Sequence, residues 1–534
     1  MNQEKSKDIE PIEDKYTDPS INIALDTIKK NKQAIFFVNT KPSAEKLAEE
    51  ISKKIKDVNL EDLSESILKA LPKPTYQCKR LSTTVLKGIA FHHSGLTSKQ
   101  RDIIEDNFKQ GKIKIICATP TLAAGVDMPA FRSVVRDLKR YGGQWGMMDI
   151  PVLEYQQMAG RAGRPSFDPW GEAITIAKSE SDKDEIYHKY ITADSENIYS
   201  KLAVEPVLRT YLLSLIASGF VKTRKEIIEF FSKTFWAYQY KDMYKLEMII
   251  DRMLELLTEW EFIRENNNDI TTQTNDDFIS ANEISNNKES KYRPTLIGKR
   301  VAELYLDPYT AHLLITAMNN SLNKKTILFS ILHMVCSTLE MRPLLRVRTK
   351  EWEFIEDALA RYEDYLLFVE PEQYDLDYDD FMNGIKTAMF MQEWCDEMDE
   401  EYLLEKYNIR PGEIRAKLDI ADWLIYSSSE IAKILSLNEF NKGLNIARTR
   451  LKFGAKEELI PLLRLKNIGR VRARKMYNAG LKTVGDLRKV DITTLTQLIG
   501  QKTAKSLKEE LGQEIESKTG RERKGQVGIN KYTK

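Results

Sequence analysis

The pattern of apolar and polar positions changes twice along this chain. Between about Asn31 and Lys178, short continuous apolar runs alternate with segments of helical spacing. AIFFV (Ala34 to Val38) reads as a buried strand. In the SAEKLAEEISKKI that follows, Ala44, Leu47, Ala48, Ile51 and Ile55 fall three and four apart, which predicts a helix. GIAFHH, IKIICAT, SVVRDL and AITIAK predict further strands, with a helix over KQRDIIEDNFKQG. Apolar strands separated by helices predict an α/β lobe with a parallel sheet, whose ligands meet the loops leaving the carboxyl ends of the strands.

After about Asp182 the period becomes helical. Leu208 to Ser218 and Arg224 to Thr234 predict two short helices around GFVKT, and Met243 to Glu259 a third. The polar run RENNNDITTQTNDDFISANEISNNKES then predicts a loop or wing, and order resumes at YRPTLIGKRVAELYL. Helices, a turn and a wing suit a winged helix. About Pro308 to Lys452 is helical with few strand signals. About Glu457 to Gly512 predicts two short helical hairpins, and the tail after Lys518 reads as disordered.

Composition widens this picture. At 534 residues, 42% hydrophobic and 30% charged, the chain is long enough for several cores. No apolar run reaches the roughly 18 residues of a membrane helix. The start MNQEKSKDIEPIEDKY lacks the apolar core of a signal peptide, so a cytoplasmic location with no membrane partner is the expectation. Cys78, Cys117, Cys336 and Cys395 are far apart and form no C-x-x-C pair, which argues against a zinc site or a disulfide framework. His92 and His93 are adjacent in a strand and point to opposite faces, a poor arrangement for a metal. Charge is uneven: Asn441 to Lys534 holds 23 Lys/Arg against 9 Asp/Glu, whereas Glu370 to Glu405 is acidic. A basic terminal block suits a polyanion, although a soluble tail would look similar.

Chemistry concentrates in two strings. QMAGRAGRP carries Gln157, Gly160, Arg161, Gly163 and Arg164. Two guanidiniums three residues apart on one helical turn can face one phosphate group, and arginine offers permanently charged planar donors to the charge that develops in phosphoryl transfer. The alternative is a basic helix start with a packing glycine. ATPTLAAGVDMP follows the strand IKIIC. The Thr119 and Thr121 hydroxyls can hold a nucleic-acid phosphate, and Gly125, Val126 and Asp127 form a turn that could touch a nucleotide. An ordinary strand-to-helix loop with a threonine N-cap is the plainer reading.

The order VNTKPSAE, FHHSGL, ATPTLAAGVDMP, QMAGRAGRP resembles motifs IV to VI of superfamily II helicases. GLTSKQRDIIEDNF, KLAVEPVLRTYLLSLIASGF, TKEWEFIEDALARY, GIKTAMFMQEWCDEMDEEYLLEKYNIRPGEI and IGRVRARKMYNAGL narrow the resemblance to the archaeal Hjm-type (Ski-like) repair helicases. It covers nearly the whole chain after about Pro19. That family implies two motor lobes, a winged helix, a helical ratchet bundle and a helix-hairpin-helix. It also implies ATP- and Mg2+-dependent 3′–5′ movement on single-stranded DNA and unwinding of forked DNA in replication-linked repair and recombination. The resulting expectation is a second RecA-like lobe over 1–185, a winged helix over 186–305, a ratchet bundle over 306–455, a helix-hairpin-helix over 456–515 and a tail over 516–534.

The resemblance also implies roles. Gln157, Arg161 and Arg164 would meet ATP phosphates across a lobe interface, the arginines as fingers, with Gly125, Asp127 and Gly160 near the nucleotide. Thr119 and Thr121 would face the DNA backbone. Arg132 to Pro151 would be the hairpin that separates duplex strands, with Trp145 at its tip against a base pair, or else packed on a neighbouring domain. Trp394 would stack on a base as a ratchet aromatic, although one sequence alone favours a buried core tryptophan. LKNIGRVRARKMYNAG resembles a helix-hairpin-helix in which Ile468, Gly469 and Val471 offer N–H groups to a phosphate. Arg470, Arg472, Arg474 and Lys475 add charge to it, and Asn467 stands where a glycine is usual. Gly500 and Lys502 mark a weaker second hairpin. Gln526, Ile529 and Tyr532 fall on the spacing of a sliding-clamp-binding peptide.

The motor also needs a phosphate loop of the form G-x-x-x-x-G-K-[ST], and the chain contains none. LIGKR has arginine after its Gly-Lys and no glycine five positions before Gly298. DEMD (Asp396 to Asp399) imitates an acidic magnesium box, but it lies far downstream in an acidic run and reads as a solvated face. The motif-IV strand starts about 34 residues in, which leaves no room ahead of it for a first lobe. The expectation is the rear part of a helicase that shares ATP and Mg2+ with a first RecA-like lobe absent from this chain. The alternative is a fork-binding module without ATPase activity.

Overall fold

A computed structural model describes residues 10–71, 73–125, 128–142, 146–164, 168–266 and 291–512. The chain forms two compact units, one of 1–208, 225–252 and 400–419, the other of 209–224, 253–399 and 420–534.

The first unit is built on a parallel sheet. Its strands are β1 (Ala34–Phe37), β2 (Ile89–His92), β3 (Ile115–Ala118), β4 (Arg132–Val135) and, beyond a hairpin of β5 (Lys139–Tyr141) and β6 (Met147–Asp149), β7 (Glu172–Thr175). The order is β2-β3-β1-β4-β7, with every neighbour parallel. All five strands expected from the sequence are present. β1 to β4 are buried at every position, as strands covered on both faces must be. Helices α1 (Pro19–Lys29), α2 (Lys41–Ser52), α3 (Glu61–Leu68), α4 (Tyr76–Val85) and α5 (Ser98–Lys109) accompany it. The starts of α2 and α5 are written in sequence. Thr40 accepts from the Ser43 N–H, and Thr97 forms a capping box with Gln100. Ala44, Leu47, Ala48 and Ile51 are the buried stripe of α2.

β4 carries a charge into this core. Arg132 is 1% exposed. Its Nε donates to Glu172 of β7 at 2.6 Å, and its Nη1 donates to Asp26 at 2.6 Å and Thr27 at 2.9 Å, both on α1. This corrects the expected hairpin of Arg132 to Pro151. Its first four residues are a central strand, and the antiparallel pair begins only at Lys139.

The helix-turn-helix region contains helices Glu205–Ala217, Arg224–Ser232 and Met243–Glu259. One further helix, Phe235–Tyr240, had no apolar period to announce it: FWAYQY is aromatic at four of six positions, and of these residues Trp236 and Ala237 are buried. The run expected as a wing is flanked by the antiparallel pair β8 (Ile263–Asn266) and β9 (Lys291–Pro294), and the residues between lie outside those described. In helix Leu296–Glu303 the near-match LIGKR is a packing site. A Cβ on Gly298 would sit 1.9 Å from the Phe262 carbonyl oxygen.

The second unit continues with helices Pro308–Asn320, Leu328–Cys336, Trp352–Tyr362, Tyr378–Cys395 and Asn438–Phe453. Helix Pro411–Ile434 begins in the first unit's segment 400–419 and ends in the second. The terminal helices Ile460–Leu463, Arg470–Asn478, Val484–Lys489, Ile492–Ile499 and Gln501–Glu510 enclose a small core that includes Leu462, Ile468, Met476, Leu495 and Leu507. All four cysteines are buried, and no disulfide joins them. Among the described residues no helix is long and apolar enough to cross a membrane, and no His/Cys/Asp/Glu group could hold a metal ion.

His333, inside helix Leu328–Cys336, is fully buried among Phe329, Phe368 and Phe381, and neither ring nitrogen has a hydrogen-bond partner among the described residues. Burial pushes its imidazole down from 6.5 to about 4. Above the ordinary value the ring is neutral in folded and unfolded chains alike. As pH falls toward the folded value, the unfolded chain takes up a proton that the folded bundle refuses, so stability is lost over that window. His333→Leu is expected to change stability at alkaline pH by under about 1.5 kcal/mol. It should also remove up to about 3 kcal/mol of the acid-side loss. Urea midpoints of the bundle's transition across a pH series check both effects.

Candidate functional site

The loops leaving the parallel strands share one end of the sheet, where Thr119 and Thr121 follow β3, whereas QMAGRAGRP lies in the segment that enters β7. After β3, the Thr119 N–H donates to the His92 carbonyl at 3.2 Å, which ties this loop to the end of β2. The Thr119 and Thr121 hydroxyls lie 2.9 Å apart. Thr119 is buried and Thr121 exposed, so Thr121 is the one that presents a group to solvent. Thr121 opens the five-residue helix α6 (Thr121–Gly125), which Gly125 ends. Val126 and Asp127 lie outside the described residues.

QMAGRAGRP leaves the next helix, α7 (Val152–Ala159), whose first N–H groups donate to the Glu196 carboxylate at 2.5 and 3.1 Å. Gln157 is exposed on α7, and Gly160 is its C-cap. Arg161 and Arg164 therefore lie beyond the helix, not on one helical turn, and they do not converge. The Arg161 guanidinium donates through Nε, at 3.1 Å, and through Nη2 to the Ala123 carbonyl of α6. Arg164 donates through Nε to Asp168 at 2.6 Å and through Nη1 to Gln33 at 2.5 Å. Asp168 also accepts from Lys32 at 2.6 Å, and its carboxyl lies below the usual range, chiefly through the Arg164 hydrogen bond.

Backbone holds this segment in place. The Ala130 N–H donates to the Arg161 carbonyl at 2.9 Å, and the Gly163 N–H donates to the Ala130 carbonyl at 2.7 Å. Gly163 has φ +93°, open to glycine, and a Cβ on Gly171 would lie 2.1 Å from the Gly163 nitrogen. The two chains meet where side chains cannot go.

At the basic end, Asn467 adopts φ +61°, the left-handed conformation expected of it, and Gly469 is the N-cap of helix Arg470–Asn478. The arginines divide. Arg472 is exposed and donates to the Asn467 carbonyl at 2.8 Å. Arg474 donates to Glu397 at 2.7 and 2.8 Å and to Glu458 at 2.6 Å, so a free phosphate-facing role is corrected to an internal brace. Asp396 accepts from Arg450 at 2.9 Å, so the DEMD run also anchors its surroundings and is not simply a solvated face. Gly500, at φ +86°, separates helices Ile492–Ile499 and Gln501–Glu510 and makes the second hairpin, with Lys502 exposed.

Trp394 is corrected to a core residue. It is 6% exposed, donates Nε1–H to the Leu451 carbonyl at 2.8 Å and carries the Arg470 guanidinium 4.4 Å from its ring. A Cβ on Gly454 would come within 2.6 Å of the ring, which leaves no room for a base there. Trp423, in helix Pro411–Ile434, was not singled out from the sequence and is only half-buried. Trp145 and the peptide Gln526, Ile529 and Tyr532 lie outside the described residues.

Comparison with known families follows the same order along the chain. Residues 73–166 match the helicase conserved C-terminal domain, 171–264 a helix-turn-helix domain, 329–454 domain 4 of archaeal helicases and 459–513 a SAM-like helix-hairpin-helix tandem. A RecA-like lobe followed by these modules defines the class as a DNA helicase. The chain is 38% identical over 518 residues to the ATP-dependent DNA helicase Hel308 of Methanococcus vannielii, covering 92% of this chain and 67% of that protein. It is 36% identical to Hel308 of Methanocella arvoryzae (93% and 65% covered) and 37% identical to that of Pyrococcus abyssi (94% and 67%). The chain belongs to the Hel308 family of ATP-dependent DNA helicases, and it spans about two thirds of the length of these relatives.

The glycine contact gives a sharp expectation. Gly171→Ala should cost about 1–3 kcal/mol through forced displacement of Gly163. Gly469→Ala, where a Cβ would meet open space, should change stability by less than about 0.5 kcal/mol. Chemical denaturation of the two variants checks the contrast.

Proposed function

We propose that this chain is the part of an ATP-dependent 3′–5′ DNA helicase that completes the ATP site and carries the DNA path. It would translocate on single-stranded DNA and unwind forks in replication-linked repair and recombination. The observation that supports this most is Arg161. Its half-buried guanidinium is held by helix α6, so the residue suited to a phosphate is joined to the loop that carries Thr121.

The donor set fits half of a nucleotide site. On this reading Gln157 and Arg161 would offer an amide and a cation to phosphate oxygens, Arg164 would act from its fork with Asp168, and Gly125 and Gly160 would lie near the nucleotide. Bound ATP with Mg2+ would supply the energy for movement. No carboxylate cluster for Mg2+ occurs among the described residues, so on this reading the metal's ligands come from a first lobe. DNA would meet Thr121, the Gly469 hairpin with Arg472, and Gly500 with Lys502. Trp423 takes the base-stacking role that burial denies Trp394. The sliding clamp remains a proposed partner for the terminal peptide. It would be tested by pull-down with and without Gln526, Ile529 and Tyr532.

The second reading is a fork-binding protein that does not hydrolyse ATP, favoured by the packing role of Gly298 in the one near-match to a phosphate loop. DNA-stimulated ATP turnover, measured on the chain alone and with the phosphate-loop lobe of a relative added, separates the two. Turnover that never rises above background in either mixture leaves only the second.

On the first reading, Arg161→Ala should lower turnover by about 10³-fold or more while fork affinity stays within about twofold. Unchanged turnover would rule out the finger role. Arg472→Ala should reduce the slope of log affinity against log salt by about one, whereas Arg474→Ala should lower stability more than it lowers affinity. Anisotropy titrations across a salt series, with thermal melts, check this pair.

A further inference from the structure

The first unit contains a second polar centre that no motif role uses. Glu45, on α2, is 3% exposed. Its Oε1 accepts from Gln77 Nε2 at 2.9 Å, His93 Nε2 at 3.1 Å and Arg410 Nε at 3.1 Å, and its Oε2 accepts from Arg80 Nη1 at 2.6 Å. Burial works against its charge, but the hydrogen bonds from His93, Arg410 and Gln77 prevail and hold the carboxyl far below the usual range. The Gly95 N–H donates to His93 Nδ1 at 3.1 Å, so the proton of this imidazole sits on Nε2 and is aimed at Glu45.

Arg410 comes from far along the chain, one residue before helix Pro411–Ile434. Backbone seats it. The Gly412 N–H donates to the Gly95 carbonyl at 3.0 Å. A Cβ on Gly412 would lie 2.3 Å from the Ser94 carbonyl oxygen, and one on Gly95 would lie 2.4 Å from Arg410 Cδ. The Arg410 N–H donates to Glu413 at 2.9 Å, and Glu413 pairs with Lys41 at the start of α2. Every partner belongs to the first unit.

We propose that Glu45 and Arg410 are positioning residues that latch the first turn of helix Pro411–Ile434 to the motor lobe, so that movement of the lobe is carried along this helix to the residues that follow. The inference rests on the helicase reading for what the movement does, but not for the latch itself. His93 to Leu96 follows β2 at the edge where the Thr119 loop is tied. The helix is continuous, and it carries Trp423 roughly 18 Å beyond Pro411. A buried ion pair stabilises no better than apolar packing would, but it admits one register only, which is what transmission requires.

The test uses the full chain with Glu45→Gln, which keeps the shape but not the charge, and Arg410→Lys, which keeps the charge but not the planar fork. Hydrogen exchange is read by mass spectrometry on peptides covering 93–96, 408–419 and the strands of the sheet. ATP turnover and fork unwinding are measured on the same samples with a phosphate-loop lobe supplied. Expected are at least tenfold faster exchange confined to 93–96 and 408–419, DNA-stimulated turnover within twofold, and unwinding per ATP reduced at least fivefold. Unaltered exchange overturns the latch. Altered exchange with unwinding per ATP unchanged, or with turnover and unwinding falling in step, overturns the coupling. If the unsubstituted protein neither hydrolyses ATP nor unwinds, the helicase reading fails and takes the coupling with it, while exchange still judges the latch. Should Glu45→Gln not fold, Arg410→Lys carries the same comparison.

Discussion

The parallel ladder of β1 with β3 and β4 constrains everything else in the lobe. Parallel strands must be joined by crossovers, so each strand leaves the sheet at the same edge, and residues scattered over more than a hundred positions meet there. The Thr119–Thr121 loop and the His93 loop are neighbours for that reason, whereas Arg161 lies in the segment that enters β7, beside Ala130 just ahead of β4. The sheet cannot shift register without moving all of them, because β1 is hydrogen-bonded on both sides along its whole length.

Within this frame, charge is used where apolar packing would be indifferent to alignment. Arg132 forks between α1 and β7, Asp168 joins Lys32 to Arg164, and Glu45 gathers α2, α4, the β2 loop and the start of a distant helix. Each is a buried or nearly buried ion whose partners come from separate segments. Removing one partner of such a pair costs roughly 3–5 kcal/mol, against far less for an exposed pair. The helical part of the second unit shows the opposite habit around His333, where aromatic rings surround an imidazole that has no hydrogen-bond partner among the described residues.

What was legible in the sequence follows from the range of the forces involved. Strand order and helix starts are local: AIFFV and IKIIC are apolar at every position, and Thr40 and Thr97 announce their own caps. The motif order was legible for the same reason. Trp394 was not, because its fate is decided by Leu451, Gly454 and Arg470, between 57 and 76 positions away. Arg474 looked like its neighbours until Glu397 and Glu458 were seen to hold it. The hairpin is shorter than the resemblance implied, because SVVRDL, itself legible as a strand, belongs to the sheet, where Arg132 is held by its ion pairs. Nothing local in NIRPG hinted that Arg410 and Gly412 pack on the loop after β2. That contact depends on glycines more than three hundred residues apart.

The cysteines have a practical consequence. All four are buried, and burial pushes the Cys117 thiol up and the Cys395 thiol to about 12. Buried thiols held in the protonated form are poor nucleophiles toward alkylating reagents. In its native fold this protein is therefore a nearly blank background for maleimide labelling. One new surface cysteine on the exposed side of α7 and another near Arg472 would take a donor and an acceptor dye without removing any natural residue from the core. Single-molecule distance measurements could then follow the two units directly.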